Sequence, residues 1–518
     1  MSAISSWWEI NALEWATIGM VAAPFLLYML SHKQGEEPRR WPVVGMLPSV
    51  ITNFKRIYDW ETEVLRATGG TYIFRGAWKS KQDCVISCDP RNIEYVLHTN
   101  FANFPKGEDF YAEFYDLLGD GIFNADGLEW RRLRNTAALH FYSRPFRRFT
   151  ADTLRHIVQT KLLPLLTDAA ETGAPLDLQD VFLRFTFDNT CTLVFGRSPG
   201  CLAPGLPLVP FAKAFDDAVE ATFYRHLTPR ACWKLMRFLK LGKERQFYKA
   251  LKPLRQFMDE LIGYKKKTMG QGEAKDLLSR FMEEKSHYDD KFLRDAVMNF
   301  VIAGRDTSGV ALAWFFWLLY RHPSIEEKIV EELYAVLRRR DGGLIFLDFE
   351  QPFTVRELEE CVYLQAALTE TLRLYPSIPH DHKGVLNRDV LPDGTSIEPG
   401  MRFLYSIYSL GRMESIWGPD CMEFKPQRWL ETSKEGAMAM KRESPYKFMA
   451  FNAGQRVCLG KEMAYAQMKA AAAAIVLRFR VRVKENVEVK AKMSLVLAMK
   501  NGLWVTLEKR NLKTINAF

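Results

Sequence analysis

Residues Ala296 to Tyr320 form a run that is nearly apolar throughout and carries charge only at Arg305 and Asp306, near its middle. A helix that long and that apolar must be enclosed on almost every side, either by lipid or by a large protein core. In lipid, each of the two charges at the bilayer centre would cost about 2.5 to 3.5 kcal/mol. The run therefore reads as a long helix through the interior of a helix-rich domain. The composition can supply that interior, with 48% hydrophobic, 13% aromatic and 26% charged residues, and it excludes a disordered, collagen-like or multi-pass membrane chain. Length alone, 518 residues, suggests about three domains of roughly 150 residues each.

A second apolar run, Trp15 to Leu30, has no charge at all. Its length, about 24 Å as a helix, is close to the roughly 27 Å hydrocarbon core of the endoplasmic reticulum. Glu9 and Glu14 precede it, and Lys33, Arg39 and Arg40 follow it. That asymmetry predicts an anchor over residues 1–33 with the bulk of the chain on the cytosolic side. A cleaved leader would begin with basic residues, which are missing here. Pro38, Pro42 and Pro48 then mark a stiff elbow over residues 34–50 that cannot sustain a helix. The eight cysteines show neither a metal-type pair nor a disulfide framework, which fits a reducing compartment. Net charge is +9, pointing to an acidic partner or an anionic membrane surface rather than to nucleic acid.

Within the body, Thr71 to Arg75 and Cys84 to Ser87 are short β-prone runs, and Pro90 to His98 opens a helix. Helical patterning dominates from about Arg131 to Glu370. Sheet is expected again at Asp389 to Pro399, around the Pro392-Asp393-Gly394 turn, and at Met493 to Leu507, where two apolar runs flank Lys500-Asn501-Gly502.

The densest chemical signal is Phe451-Asn452-Ala453-Gly454-Gln455-Arg456-Val457-Cys458-Leu459-Gly460, followed at once by helical patterning from Lys461. A cysteine there sits at a helix N-terminus beside Arg456, and the dipole and the guanidinium both favour a thiolate. The glycines allow the backbone to approach a flat cofactor and aim N–H groups at sulfur, which thiolate ligation of haem iron requires. For an isolated cysteine, inert burial is the commoner outcome.

This loop resembles the haem-binding loop of the cytochrome P-450 superfamily, with Phe451, Gly454, Arg456, Cys458 and Gly460 at matching positions. Other marks of the superfamily follow in its order. Glu370-Thr371-Leu372-Arg373 is similar to the ExxR motif, and Pro426-Gln427-Arg428-Trp429 to the segment supplying a third charged residue. Glu370 and Arg373 lie on one helix face, and Arg428 can close a buried cluster with them. Ala303-Gly304-Arg305-Asp306-Thr307-Ser308 resembles the oxygen-activation stretch. There Gly304 and a Thr307 hydroxyl bonded to the backbone are expected to bend the helix and make room for dioxygen, while Asp306 and Thr307 relay protons. The resemblance assigns Trp130, Arg134 and Arg456 to the haem propionates, and Lys383 occupies a slot where the family often has another such cation.

What the resemblance implies is a mainly α fold with a minor β-sheet component, a cytochrome P-450 fold spanning residues 51–518 as one catalytic domain, which replaces the three-domain expectation. Haem b, ligated by Cys458, is the implied cofactor. Electrons come from NADPH by way of a separate membrane-bound reductase, for which Arg131, Arg132, Arg147 and Arg148 are candidate docking residues. A narrower resemblance, carried by Leu176 to Gly196, Cys201 to Pro207, Tyr405 to Cys421 and Met493 to Leu503, is to the plant fatty-acid ω-hydroxylases of cutin and suberin synthesis. It implies O₂, a fatty-acid substrate and the endoplasmic reticulum membrane. Candidate substrate contacts from motif placement are Phe300, Val301, Ile302, Ile378, Leu495 and Leu497. Two departures stand out. Gln427 replaces a commonly acidic residue, and His380-Asp381-His382 follows the ExxR helix, its two histidines reading as surface residues rather than ligands. A hydroxylase of terpenoids or sterols, and more remotely a non-catalytic haem-thiolate sensor, remain the alternatives at this point.

Overall fold

The long apolar run becomes one unbroken helix, Asp290–Arg321. It starts where the Asp289 carboxylate accepts the Phe292 N–H at 2.7 Å, satisfying a donor that has no partner within the helix. It stops at His322 because Pro323 follows and opens the next helix, Pro323–Arg340. The computed structural model describes residues 37–78, 82–268, 275–284, 289–340, 353–432 and 436–510. The expected anchor, Trp15 to Leu30, lies outside these residues, and among the described residues no helix is long and apolar enough to cross a membrane.

Two apolar cores meet along this central helix. Its first half, through Leu293, Val297 and Val301, packs into a phenylalanine-rich core with the helices Gly107–Leu118, Pro210–Leu227 and Gly242–Thr268. The second half, from Ala311 to Leu319, packs into another core with Leu178–Phe195, Val362–Leu374 and Lys461–Arg478. Ala303 to Val310 lie at the seam. Here Leu178–Phe195 crosses closely, and a Cβ on Gly304 would come within 2.6 Å of the Thr190 hydroxyl oxygen. Gly304 is thus needed for helix crossing. The hydroxyl-to-backbone bond expected at Thr307 is present, donated to Ala303 C=O at 2.7 Å, and the helix runs on through it.

The sheets are small and set to one side. Thr71–Phe74 pairs antiparallel with Cys84–Ser87, which runs parallel to Arg402–Ser406, and His380–Gly384 closes that sheet antiparallel. Asp389–Val390 and Ser396–Ile397 form the expected hairpin around Asp393-Gly394. The hairpin expected at Met493 to Leu507 does not form. Only its second arm, Trp504–Lys509, is a strand, and it pairs with Phe479–Val483 and Leu176–Asp177. The first arm turns inward instead: Leu497 N–H donates to Ser377 C=O, and Leu497 C=O accepts from Trp314 Nε1 at 2.6 Å. The elbow also differs from expectation at its end. Leu47–Thr52 is a short helix that tolerates Pro48 because it falls in the first turn, where a missing N–H costs nothing.

A buried ionic knot ties the helix Val362–Leu374 to the irregular segment that follows the sheet. Glu370 and Arg373 form a two-pronged pair at 2.7 and 2.8 Å, with almost no accessible surface on either side chain. Glu370 also accepts from Lys425 N at 3.0 Å, Trp429 Nε1 at 2.8 Å and Arg428 Nε at 3.4 Å. Arg373 spends its remaining donors on the carbonyls of Gly411, Cys421 and Glu423. Every charged atom is satisfied, as burial of a charge requires. Replacing Glu370 by Ala strands Arg373, and chemical denaturation is expected to show a loss of about 3 to 5 kcal/mol.

Candidate active site around Cys458

The loop before the helix Lys461–Arg478 is held open from both ends. Cys458 N–H donates to Phe451 C=O at 2.8 Å, and the Phe451 ring packs on Tyr465 one turn into the helix, centroids 5.0 Å apart. Gly454 has a φ of +64°, and a Cβ there would lie 2.2 Å from Leu97 C=O, so only glycine fits. Cys458 lies deep between elements, yet its side chain keeps accessible surface. It borders a cleft rather than packing against a neighbour. Burial pushes the Cys458 thiol up, while the Gly460 N–H, Arg134 and Lys461 pull it back towards the thiolate.

Arg456 does not play the part its position suggests. Its guanidinium turns away to Asp126 at 2.6 Å and Ala125 C=O at 2.8 Å, and stacks over the Trp130 ring at 4.5 Å. The cations that bias Cys458 are Arg134 and Lys461 instead. Asp126, which sequence reasoning missed, is the hub here, because it also accepts the N–H groups of Lys106 and Gly107 at 3.0 Å. Its one sequence signal is its place just before the helix Gly127–Phe141 that carries Trp130 and Arg134.

These residues fit a flat group bearing carboxylates. Arg456 Nε is buried with no partner, and the half-buried Arg134 guanidinium has no acidic partner among the described residues. Unused cationic donors on one rim are what two propionates would take up. With Cys458 as the sulfur ligand, Trp130, Arg134, Phe451, Gly454, Arg456 and Gly460 are the residues that would hold haem. Lys383 is buried close to Arg456 and already has an acidic partner. Its side chain has no accessible surface and faces Asp381 at 3.4 Å. Burial pushes its ammonium down to about 7, against the pull of Asp381 and with added repulsion from Lys106 and Arg456.

The histidines beside it are not surface residues. His380 is half-buried with Nε2 2.6 Å from Glu61 Oε1. His382 is buried, stacks on His226 at 4.8 Å, and is held well below the usual imidazole range by burial first and then by its neighbours His226, Arg402 and Lys106. Asp381 accepts from Lys106 Nζ at 2.6 Å, Tyr405 OH at 2.6 Å and Asn452 Nδ2 at 3.1 Å. That ties the sheet to the residue after Phe451, a link that no local pattern predicts.

On the central helix, Arg305 and Asp306 are buried, whereas Ile302, Ala303, Gly304 and Thr307 keep accessible surface. Ser377 Oγ donates to Thr307 C=O at 2.6 Å, fixing the Ser377-Ile378 loop beside them. Of the candidate substrate contacts, Ile302, Ile378 and Leu495 are partly accessible. Phe300 is partly accessible too but stacks with Phe281 and packs at a tilt on Phe141. Val301 and Leu497 are fully buried core, Leu497 against Ile57, Tyr58 and Tyr408, so neither lines an open surface. Ile302 and Leu495 share their apolar cluster with Met463. Met463 adjoins Cys458, since a Cβ on Gly460 would lie 3.9 Å from both side chains.

Comparison with known proteins agrees with this geometry. Residues 36–505 match the family model described as Cytochrome P450. The chain is 47% identical to cytochrome P450 86B1 of Arabidopsis thaliana over 503 residues, 95% of this chain and 89% of that protein. It is 37% identical to alkane hydroxylase MAH1 of Arabidopsis thaliana over 500 residues, 94% of this chain and 96% of the relative. It is also 37% identical to noroxomaritidine synthase of Narcissus aff. pseudonarcissus MK-2014 over 524 residues, 99% and 100% of the two chains.

Cys458→Ala is expected to abolish the thiolate signature of the reduced, CO-bound haem spectrum. Arg134→Ala is expected to keep that signature but lower haem retention on dialysis by about tenfold, the worth of one charge-assisted contact.

Proposed function

This chain belongs to the cytochrome P450 family and is a monooxygenase of it, and on that footing we propose that it hydroxylates long-chain fatty acids at the terminal carbon. It uses haem b and takes electrons that originate in NADPH from a redox partner. When bound, the haem supplies activation of dioxygen and insertion of one oxygen atom into a C–H bond. The observation that carries the substrate reading is the accessible stripe of the central helix, Ile302, Ala303, Gly304 and Thr307. It is apolar apart from one hydroxyl, and the adjacent charges are buried away from it. An alkyl chain loses nothing by lying along such a stripe, whereas a polar substrate would leave its own groups unpaired. A terminal C–H bond is harder to break than an internal one, so attack there depends on holding the chain end in place. The relative named as an alkane hydroxylase supports the same class of substrate.

The residues of the chain divide the work. Thr307 and Asp306 move protons to the reacting oxygen, Asp306 as the acid and Thr307 as the alcohol between it and the cleft. Burial pushes the Asp306 carboxyl up, against the pull of Arg305, which makes its proton easier to hold than on a wet carboxyl. Trp130, Arg134 and Arg456 orient the cofactor by its edge.

We further infer that the redox partner is an NADPH-dependent reductase and docks on the cysteine side. Arg147 pairs with Glu462, in the first turn of the helix after Cys458, at 2.8 Å. The basic patch is therefore close to the thiolate end of the site. Arg131 and Arg148 are exposed and have no acidic partner among the described residues, which leaves them free for an acidic surface. The run Trp15 to Leu30 supports a single membrane anchor in the endoplasmic reticulum with the catalytic body facing the cytosol.

Membranes carrying this protein, a reductase and NADPH, incubated with fatty acids from medium to very long chain, are expected to give a terminal hydroxy acid as the dominant product by mass spectrometry. A normal thiolate spectrum without any fatty-acid product would redirect the search to alkanes, terpenoids and sterols. Reversing charge at Arg131 and Arg132 together is expected to slow reductase-supported turnover and flatten its dependence on salt; an unchanged salt profile would place the docking surface elsewhere.

A further inference from the structure

Arg305 Nη1 serves two carboxylates at once. It donates to Asp216 Oδ1 and lies 3.1 Å from Asp306 Oδ1. The two acids differ sharply in surroundings, with side-chain exposures of 56% for Asp216 and 10% for Asp306. Asp216 belongs to the helix Pro210–Leu227 and Asp306 to the central helix, so the guanidinium bridges two elements. It lies over the edge of a Phe187–Phe215 ring pair, at 4.9 and 5.2 Å from the two centroids, and its Nε has no partner. Its Nη1 thus stands between a wet carboxylate and a dry one.

The neighbouring charges do not disturb this arrangement. On the helix Leu178–Phe195, Asp188 is engaged by Lys161 and by the N–H groups of Cys201 and Leu202. The thiols of Cys191 and Cys201 are kept protonated by burial. On the Asp216 helix, Asp217 is taken up by Lys213 and Gln246. Burial raises the Asp306 carboxyl, Arg305 lowers it, and Asp216 raises it again.

We propose that Asp216 is a positioning residue for proton delivery: by occupying one hydrogen of Arg305 Nη1 it limits how firmly Arg305 holds Asp306, and it provides the water-facing edge at which Asp306 regains its proton. This rests on the reading of Asp306 as the acid. Each time Asp306 gives its proton towards Thr307 it is left as a carboxylate, and Arg305 moves onto it. A proton entering from water at the Asp216 edge restores the carboxylic acid, and Arg305 returns to Asp216. No dry charge is left unpaired in either state, since Asp216, when released, faces water.

The sign of the effect follows from the charges. Asp216→Asn removes the negative neighbour and leaves Arg305 to Asp306 alone, so the ionised form of Asp306 is favoured and its protonated fraction at neutral pH falls. In the holoenzyme, the carboxylic C=O infrared band that Asp306→Asn deletes is expected to titrate at lower pH in Asp216→Asn. One unit of that shift corresponds to about a tenfold loss of productive turnover at neutral pH. The solvent deuterium isotope effect and the share of electrons released as hydrogen peroxide are expected to rise, lower pH to recover turnover, and Asp216→Glu to restore all of these. A purely structural role for Asp216 would move none of the infrared titration, isotope effect or pH profile, and that result overturns the proposal. A wild-type isotope effect in Asp306→Asn itself overturns the reading of Asp306 as the acid, and this inference with it. A changed isotope effect in Asp306→Asn but not in Asp216→Asn overturns this inference alone.

Discussion

The Glu370–Arg373 pair is the fixed point from which the cysteine loop is hung. Both charges are dry, so each must find partners within the protein, and each finds them on the segment between Gly411 and Trp429. Trp429, held by Glu370, packs edge-on against Phe448, centroids 4.8 Å apart, at the entry to the cysteine loop. One residue back along the same helix, the Thr369 hydroxyl meets Tyr465 OH at 3.0 Å, and Tyr465 supports Phe451. One turn of one helix thus positions the loop presenting Cys458. The ion pair contributes position more than stability, since a buried pair roughly repays its own desolvation.

The central helix faces the opposite demand. It is apolar enough to bury on all sides, yet it carries an arginine and an aspartate at the seam between two cores. The charges are tolerated because Asp216 comes in from a neighbouring helix and the rings of Phe187 and Phe215 pack beside the guanidinium. The accessible face one residue away is left apolar except for Thr307. The segment therefore separates an ionic side, where protons are held, from an apolar side, where an alkyl chain can lie.

At the third side of the site, electrostatic duties fall differently from their order in the chain. Arg456 stands two residues before Cys458 but serves Asp126 and Trp130, while Arg134, from a helix more than three hundred residues earlier, biases the sulfur. Lys383 and its flanking histidines are drawn into a buried network around Asp381, Glu61 and His226. The common cause is packing density. In a close-packed interior a long charged side chain goes wherever a partner lies within its reach, and partners are set by the fold.

The sequence by itself determined the features that depend on neighbours along the chain. The long helix, its exclusion from lipid by Arg305 and Asp306, the short strands at Thr71 and Cys84, the Asp393-Gly394 turn, the Glu370–Arg373 spacing and the glycine-bracketed cysteine before a helix were all legible, because period, turn chemistry and i,i+3 spacing are local properties. Tertiary structure decided everything that depends on which surfaces meet. It made Gly304 a crossing point, turned Met493 to Leu497 inward where a strand was expected, buried Val301, Leu497 and His382, and paired Lys383 with Asp381. It also brought Asp126 to Arg456 and Asp216 to Arg305. Neither pairing leaves a trace in the sequence, because a carboxylate on one element and a guanidinium on another become partners only when burial leaves them no water to turn to.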